Sequence, residues 1–336
     1  MDRPGPRVSA PSSPPLLPEE PAILEVRHAV RAWLARHHPA GGVVVALSGG
    51  ADSLALTVAA VAEAPSVRAV VVDHRLQDGS AEVAAVAAAR ALEFGCAGAD
   101  VVPVDVTGPG GLEAAARAAR YAALDAARAG RPVLLGHTLD DQAETVLLGL
   151  ARGSGGRSIR GMAGYDAPWG RPLLGVRRDV TRRACAELGL VAHEDPHNAD
   201  PAFTRVRLRT EVLPLLEDAL GGGVAEALAR TAEHLREDGE VLDTLAERAV
   251  ASARDGNDLV IEYLVDVPVA VRRRVLRLWL LDLGAKALTD KQLRAVDDLV
   301  GRWRGQGGVA LGGGRTGVRL VASRRRGRLS AGFVND

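Results

Sequence analysis

The sequence predicts an α/β fold: a doubly wound parallel sheet, followed by a small helical domain and a short basic β tail. Between residues 43 and 151, short apolar strands alternate with Ala- and Leu-rich helices, a pattern typical of parallel sheets covered by helices. Beyond Pro214 the leucines recur at helical spacing, and residues 307–333 alternate like strands and carry many arginines. These shifts predict domains over 21–216, 217–303 and 304–336.

The elements of the sheet domain follow in order from the hydrophobic pattern. Residues 1–20 contain six prolines and few apolar side chains, which predicts a disordered leader, and a helix over 23–36 comes next. The alternation then predicts strands at 43–47, 67–72, 100–104 and 132–136 and helices at 52–63, 80–94, 112–129 and 139–151. Ligands of such sheets bind at the carboxyl ends of the strands, where the strand order reverses, so we expect the chemically active residues there.

The loop after the first strand predicts an anion site. Its sequence is Ser48-Gly49-Gly50-Ala51-Asp52-Ser53. The glycines allow close backbone approach, the helix start leaves amide hydrogens unpaired, and the serine hydroxyls add donors, which together suit the phosphates of a nucleotide. Asp52 would repel bare phosphate, so its presence favours Mg²⁺ between carboxylate and phosphates. The alternative is a strand-to-helix turn that uses Gly and Ser for geometry alone.

Two other phosphate-binding loops do not fit. A Walker A loop needs a lysine, whereas the lysines of this chain are Lys286 and Lys291, far from any Gly-rich strand-to-helix turn. A dinucleotide-like glycine pattern occurs at 312–317, but strand-like residues follow it instead of a helix, so we predict a turn there.

The string Ser-Gly-Gly-x-Asp-Ser after a strand resembles the PP-loop of the ATP pyrophosphatases, which activate a carbonyl or carboxylate by adenylation and release pyrophosphate. The resemblance implies ATP as the nucleotide, an adenine-nucleotide α-hydrolase-like fold, and residues 21–216 as the catalytic domain. The loop alone does not choose among GMP synthetases, NAD synthetases, asparagine synthetases, tRNA thiolases and tRNA(Ile)-lysidine synthetases.

A second polar string follows the fourth predicted strand. If His137, Asp141 and Glu144 lie on one helix, their spacing of four and three places an imidazole and two carboxylates on one face. Such a set can hold a metal ion, an ammonium group or a proton in transit. The alternative is that Asp140 and Asp141 merely stabilise the helix start.

The whole string from His137 to Thr145, His-x-x-Asp-Asp-Gln-x-Glu-Thr, resembles the tRNA(Ile)-lysidine synthetases. Further segments between residues 43 and 216 match that family in order: Asp73-His74, Arg117 with Arg120 and Tyr121, Arg152-Gly153-Ser154-Gly155 with Gly161-Met162, Arg171-Pro172-Leu173-Leu174, Glu194-Asp195-Pro196 with Asn198, and Arg205 to Pro214. The chain departs from the family pattern at Val206, where asparagine is usual, and at His197, where serine is common.

The resemblance implies ATP-dependent adenylation of the wobble cytidine of tRNA(Ile) with a CAU anticodon, then attack by the ε-amine of free L-lysine to give lysidine, AMP and pyrophosphate. The implied catalytic residues are Asp52, His137, Asp141, Glu144 and Arg205. ATP would be bound by Ser48, Gly49, Gly50, Ala51, Asp52, Ser53, Asp73, His74 and His137, with Mg²⁺ at Asp52. Lysine would be bound by Asp141, Glu144 and Arg117, and tRNA by Arg152, Arg207, Arg209, Arg324, Arg325 and Arg326.

The distribution of charge agrees with a polyanionic partner. The chain has no net charge, but residues 302–336 hold eight arginines against one acidic residue, and residues 151–211 hold eleven against seven. Clustered arginine of this kind favours contact with an RNA backbone over plain solvation.

The remaining composition limits compartment and alternatives. Cys96 and Cys185 form no CxxC pair or disulfide framework, and no apolar run is long enough to cross a membrane, so we expect a cytoplasmic protein. A tRNA thiolase, a non-catalytic ATP- and RNA-binding module and a small-molecule amide synthetase are the alternatives, the last without the N-terminal Cys glutaminase signature it should carry. The oligomeric state is left open, with a homodimer as one candidate.

Overall fold

The computed structural model describes residues 17–108, 111–153, 155–195, 200–313 and 318–335. Most of the predicted leader, part of the predicted turn at 312–317, and Ser154, Pro196, His197 and Asn198 of the matched segments lie outside these ranges. The chain divides into two compact units, Met1–Leu148 with Gly161–Arg230 and Gly149–Arg160 with Thr231–Asp336. The domain limits expected from the sequence stay predictions.

The first unit is built on a six-stranded sheet, which confirms the predicted fold class. Its strands are β1 (Val43–Ala46), β2 (Val67–Asp73), β3 (Gly98–Pro103), β4 (Val133–Leu134), β5 (Tyr165–Asp166) and β6 (Trp169–Gly170). Their order is β3-β2-β1-β4-β6-β5, and every pair is parallel except β5 with β6. The strand predicted at 132–136 is shorter than expected, with two residues, although Leu135 N still donates to Gly170 O of β6 at 2.8 Å.

Twelve helices surround or follow this sheet in the described part of the chain. They are α1 (Pro21–His37), α2 (Ala51–Glu63), α3 (Ser80–Glu93), α4 (Leu112–Ala127), α5 (Leu139–Arg152), α6 (Gly156–Ile159), α7 (Arg178–Glu187), α8 (Thr204–Arg207), α9 (Leu213–Leu220), α10 (Val224–Ala253), α11 (Val269–Asp282) and α12 (Asp290–Gly301). A π-helical turn joins α8 to α9. No helix of the described residues has both the length and the apolar character needed to cross a membrane.

Strand β1 is buried on both faces, as its unbroken valines predict. Val43 and Val45 pack on one face with residues of α1, α2 and α7, such as Val30 and Leu54. Val44 points to the other face and packs with β2, α4 and β4 residues, among them Leu124. Because β1 is packed on both faces, the loop that follows it begins from a fixed position.

The second unit combines α11, α12 and part of α10 with a five-stranded antiparallel sheet. The strands are β7 (Arg254–Asp255), β8 (Asp258–Val260), β9 (Val309–Leu311), β10 (Val318–Arg325) and β11 (Arg328–Asn335), in the order β7-β8-β11-β10-β9. The predicted C-terminal hairpin is the pair of β10 and β11. Because β8 pairs with β11, the helices and the tail share one core, around the fully buried Trp279.

A buried ion pair joins α11 to α12 in this unit. The Asp297 side chain is 4% exposed and lies between two arginines, with Arg272 Nε at 2.6 Å and Arg273 Nε at 3.1 Å. Arg272 also donates to the carbonyl oxygens of Val265 and Val267. The aspartate therefore neutralises charges that the core cannot leave unpaired.

We expect Asp297→Asn to lower the free energy of unfolding by about 3–5 kcal/mol, because it leaves two arginine charges buried without a counterion. Urea unfolding followed by tryptophan fluorescence measures the change, since Trp279 is in the same core. Asp282→Asn is the control, because the Arg254–Asp282 pair is largely exposed and should be worth less than about 1 kcal/mol. Equal losses in the two variants would contradict the assignment.

Candidate active site

The strand order of the first unit reverses between β1 and β4, which are neighbours. The Ser48–Ser53 loop follows β1 and the Gly136-His137 segment follows β4, so both occupy the place where such sheets bind ligands. A Cβ atom on Gly136 would lie 3.1 Å from the backbone carbonyl of Asp52 and 3.2 Å from Ser53 N. A side chain at position 136 would therefore push the two segments apart by a few tenths of an ångström.

The loop after β1 is held by its own side chains. Ser53 Oγ donates to Gly50 O at 2.9 Å and accepts from Ser48 N at 3.2 Å. Gly49 adopts a φ of +81°, and its carbonyl oxygen accepts from His193 N at 2.9 Å. The first-turn amides of α2, including those of Ala51 and Asp52, therefore begin from a fixed turn and can face an anion.

Arg178, at the start of α7, connects the carboxylates of both strand ends. Its guanidinium lies 2.5 Å from Asp141 Oδ1, 3.2 Å from Glu144 Oε1 and 3.7 Å from Asp52 Oδ2. Asp52 also accepts a short hydrogen bond from Thr181 Oγ1 on the same helix. Burial raises the pKa of Asp52, and the Thr181 hydrogen bond and the Arg178 charge only partly counter it.

Glu144 is fully buried and satisfied by arginines. Arg209 Nε donates to its Oε1 at 2.9 Å, and Arg205 Nη1 lies 3.8 Å from its Oε2. The predicted catalytic residues Asp52, Asp141, Glu144 and Arg205 are therefore brought together, and Arg209, predicted to contact tRNA, belongs to the same cluster. We call these carboxylates with Arg178, Arg205 and Arg209 the carboxylate cluster.

The turn that precedes α5 holds the Asp141 side chain in place. Thr138 donates to Asp141 Oδ2 through its amide at 2.8 Å and its hydroxyl at 2.9 Å. Burial raises the pKa of Asp141, but the charge of Arg178 and the Thr138 hydrogen bonds outweigh it and lower that pKa. Because α5 begins at Leu139, at the predicted position, His137 precedes the helix and shares no helix face with Asp141 and Glu144.

The helix start that carries Arg178 is itself tied to α5. Asp140 accepts from Arg178 N at 2.8 Å and from Arg177 Nη2 at 3.1 Å. Arg177 reaches on to Glu226 at 2.7 Å. Arg178 was not among the residues predicted for the site, and the arginine excess at 151–211 was the signal in the sequence that pointed to this stretch.

A second set of side chains beside His137 is rich in positive charge. Buried nitrogens of four of these side chains have no hydrogen-bond partner among the described residues: His74 Nδ1, Arg120 Nε, His137 Nδ1 and Arg171 Nε. Arg117 stacks over Tyr121, with its guanidinium carbon 5.0 Å from the ring centroid, and also acts on the charge of His137. We call His74, Arg117, Arg120, His137 and Arg171 the cationic set.

The two histidines of the cationic set are electrically neutral at pH 7. Burial lowers the pKa of His137 first, and Arg120 and Arg171 lower it further, beyond what Asp141 can restore. Burial and Arg120 likewise lower the pKa of His74. Neutral imidazoles among arginines, with unpartnered buried nitrogens, form an arrangement that suits an anionic or carbonyl-bearing ligand.

The loop facing this region is fixed by a side-chain amide. Gln142 Nε2 donates to Met162 O at 2.8 Å, and Gln142 Oε1 accepts from Met162 N at 2.7 Å. Arg171 Nη1 donates to Ala163 O at 3.0 Å. Gln142 and Arg171, which both belong to the matched strings, therefore hold Met162 and Ala163 of this loop in place.

Asp52 is the residue best placed to hold a divalent cation with a nucleotide. Its Oδ2 accepts no hydrogen bond from the described residues, and its side chain is 28% exposed. One carboxylate together with substrate phosphates is a common Mg²⁺ donor set. In the described part of the chain, no group of three or more His, Cys, Asp and Glu is arranged to hold a metal ion.

Other predicted contacts lie elsewhere. Asp73 is buried and accepts from Arg75 N at 3.0 Å, at the end of β2. Arg152 is exposed at the end of α5, and Arg207 pairs with Glu211 on an exposed helix face. Arg324, Arg325 and Arg326 belong to the second unit, where Arg325 and Arg326 are exposed.

Known proteins share the pattern of both units. Residues 24–216 match the PP-loop domain family and residues 259–330 match the TilS substrate binding domain. The chain is 72% identical over 318 residues to a tRNA(Ile)-lysidine synthase from Rhodococcus jostii (strain RHA1), covering 95% of this chain and 98% of that protein. It is 62% identical over 290 residues to a tRNA(Ile)-lysidine synthase from Mycobacterium tuberculosis (strain ATCC 25618 / H37Rv), covering 85% and 89%.

Among solved structures, the U34-tRNA thiolase NcsA from Methanococcus maripaludis, with its [4Fe-4S] cluster, matches with a TM-score of 0.52. The match covers 65% of this chain and 81% of that one at 20% identity, and it therefore concerns the fold alone.

We expect His137→Gln to make stability less sensitive to acid. The unfolded chain binds a proton at His137 below pH ~6.5 while the folded chain does not, so the free energy of unfolding falls as pH drops. Urea unfolding at pH 7.5 and 5.5 should show the wild-type value falling by about 1 kcal/mol more than that of the variant. The exposed His193→Gln is the control, and identical pH dependence in all three proteins would contradict the neutral imidazole.

Proposed function

The chain belongs to the tRNA(Ile)-lysidine synthase family, and on that premise we propose that it is an ATP-dependent carbon–nitrogen ligase acting on tRNA. The proposed substrate is tRNA(Ile) with a CAU anticodon. Its wobble cytidine is adenylated with release of pyrophosphate, and the ε-amine of free L-lysine then displaces AMP to form lysidine.

The pairing of a carboxylate cluster with a cationic set at one sheet edge supports this reaction. Adenylation gathers negative charge around phosphorus, which the arginines of the cationic set can stabilise. Lysine brings a positive ammonium, which carboxylates attract. A site with both kinds of charge on neighbouring strand ends suits a reaction that needs an anionic and a cationic substrate in turn.

In the first step, the Ser48–Ser53 loop would bind the ATP phosphates through its amides and hydroxyls. The carbonyl oxygen of cytidine attacks the α-phosphorus, an oxygen–phosphorus bond forms, and the bond to the β-phosphate breaks with loss of pyrophosphate. Arg120 and Arg171 would stabilise the charge on the phosphoryl oxygens, and neutral His137 would hydrogen-bond to phosphate or base. Mg²⁺ held with the phosphates at Asp52 would supply charge neutralisation for the leaving pyrophosphate.

In the second step, Asp141 and Glu144 would draw the lysine ammonium towards the adenylated base, with Arg117 at the edge of the lysine site. Asp141 is a carboxylate at neutral pH, because Arg178 and Thr138 lower its pKa, so it would hold the lysine ammonium by charge, and the proton that lysine loses before it attacks would leave to solvent. The lysine nitrogen then bonds to the base carbon, and the carbon–oxygen bond to AMP breaks.

Contacts to the tRNA body would come from exposed arginines. Arg207, in the first unit, and Arg152, at the end of α5, are both exposed and carry charge that suits phosphate. The second unit would contribute Arg325 and Arg326. A tRNA-modifying enzyme of this kind would work in the cytoplasm, where its tRNA, ATP and lysine are present.

The cysteines argue against sulfur transfer, the main alternative. Cys96 and Cys185 are both buried, and burial raises the pKa of each thiol to about 11. Cys185 Sγ already donates to Ala51 O at 3.3 Å. Protonated, enclosed thiols are poor nucleophiles and poor sulfur carriers.

We expect the chain to incorporate radiolabelled lysine into unmodified tRNA(Ile) with a CAU anticodon when ATP and Mg²⁺ are present. A tRNA(Met) with the same anticodon should stay unlabelled, because recognition extends beyond three bases. Acid-precipitable label measures the product. Pyrophosphate release without label would keep the adenylation step and overturn lysine as the nucleophile.

Single substitutions should separate the two steps. Asp52→Asn should reduce pyrophosphate release by at least 100-fold, since it removes the carboxylate proposed for Mg²⁺. Glu144→Gln should leave pyrophosphate release within about threefold and lower lysine transfer more than tenfold. Arg178→Gln should impair both steps, because Arg178 contacts carboxylates used in each.

Arg182→Gln is the matched control, because this arginine is exposed on the same helix as Arg178. Pyrophosphate release and lysine transfer are measured separately for each variant. If Glu144→Gln blocks pyrophosphate release as strongly as Asp52→Asn does, the assigned division of roles is wrong.

A further inference from the structure

Trp303 is held at the surface of the second unit, in the segment between α12 and β9. It is 38% exposed, whereas Trp33 and Trp279 are buried and Trp169 is half-buried. The chain has only four tryptophans and an aromatic content of 3%. Because aromatic residues are this rare, the composition alone does not lead one to expect an exposed indole in a polar loop. Its neighbours explain how the ring is kept there.

Arg324 covers one side of the indole. Its guanidinium carbon lies 5.3 Å from the ring centroid of Trp303, within cation–π range. The same guanidinium donates to the carbonyl oxygens of Leu299 at 3.0 Å and Val300 at 3.3 Å, at the end of α12. Arg324 is therefore a fixed backing for the ring, and its hydrogen bonds to the helix end leave it less free to meet a ligand itself.

The loop that carries Trp303 is braced as well. Gln306 Oε1 accepts from Arg304 N at 2.6 Å, and Gln306 Nε2 donates to the carbonyl oxygens of Asp298 and Arg302, each at 3.2 Å. A ring that is already oriented loses little conformational freedom when a partner stacks on it. The geometry is thus preorganised for binding by a flat ligand.

Further arginines adjoin Trp303 and Arg324 in the chain. Arg302 is 72% exposed in a pair with the part-exposed Asp298, and the exposed Arg304 side chain has no partner among the described residues. Arg325 and Arg326 follow Arg324 at the exposed end of the β10–β11 hairpin. An exposed indole flanked in the chain by exposed arginines has the chemistry with which proteins bind single-stranded nucleic acid, in which bases stack and phosphates pair with cations.

We propose that Trp303, backed by Arg324, is a stacking platform for one unpaired base of the tRNA, with Arg302 and Arg304 contacting the adjacent phosphates. This inference rests on the proposed function, which supplies tRNA as the partner, and it names a contact site for that tRNA. Trp303 also lies within the stretch that matches a substrate binding domain. Stacking tolerates any base, so the platform would add affinity without reading sequence.

The test is equilibrium binding of end-labelled tRNA(Ile) transcript to the full chain, followed by fluorescence anisotropy. Trp303→Leu keeps an apolar side chain against Arg324 but removes the aromatic face, and it should raise the Kd about tenfold or more. Trp303→Phe keeps a smaller ring and should raise the Kd by about threefold. Phe333→Leu, which removes another exposed aromatic ring of the same unit, should leave the Kd unchanged.

Salt dependence separates stacking from charge and from general loosening of the loop. The slope of log Kd against log salt should be the same for Trp303→Leu and the wild type, because the substitution removes no charge. Arg304→Gln should make this slope less steep, by the amount expected when about one phosphate contact is lost. Wild-type tryptophan emission should also be quenched on tRNA binding by more than that of Trp303→Phe.

An unchanged Kd for Trp303→Leu, in a protein with wild-type thermal stability, would overturn the platform. A raised Kd together with a lower melting temperature would be resolved by Trp303→Phe, which must then bind better than the leucine variant. Lysine incorporation by the wild type, measured in parallel, tests the proposed function separately. If tRNA binds but no lysine is incorporated, the function fails and the platform stands.

Discussion

One guanidinium group, that of Arg178, contacts carboxylates at the starts of two separate helices, α2 and α5. Three carboxylates gathered at one buried edge repel one another and lose hydration, and they can stay ionised only where cations reach them. The described residues around these carboxylates include three arginines, so the cluster has as many positive as negative side chains: Arg178, Arg205 and Arg209 with Asp52, Asp141 and Glu144. The start of α7 is in turn fixed to Asp140, so the position of one helix end determines the geometry of the site.

The sheet makes this arrangement possible. Because β1 and β4 are adjacent while their loops belong to distant parts of the chain, an anion-binding turn and an acidic helix start meet without any long connection. Gly136 allows the backbones to touch. The cationic set differs, because its positive charges are in excess and several of its buried nitrogens have no hydrogen-bond partner among the described residues.

Most of the fold and part of the site could be predicted from local sequence patterns. The valine run of β1, the helix spacing and the Ser48–Ser53 loop are properties of neighbouring residues, and the family that they and the His137–Thr145 string indicated is confirmed by relatives of nearly full length. Arg178 could not be found in this way, because its partners lie 34 to 37 and more positions away and a single arginine in an arginine-rich stretch carries no pattern. The pairing of β8 with β11 is likewise a long-range contact that local spacing does not encode.

The cations of the carboxylate cluster are all arginines, and this has a consequence for chemical selectivity. An adenylated base reacts with any neutral primary amine within reach, and a lysine side chain placed beside Asp141 could become that amine. A guanidinium stays protonated at every physiological pH and offers no such lone pair. The protein therefore neutralises its own acids with groups that cannot be consumed by the activated intermediate, and its two lysines, Lys286 and Lys291, are both in the other unit. Among the described residues, no cation of the carboxylate cluster can therefore compete with an amine substrate for the activated base.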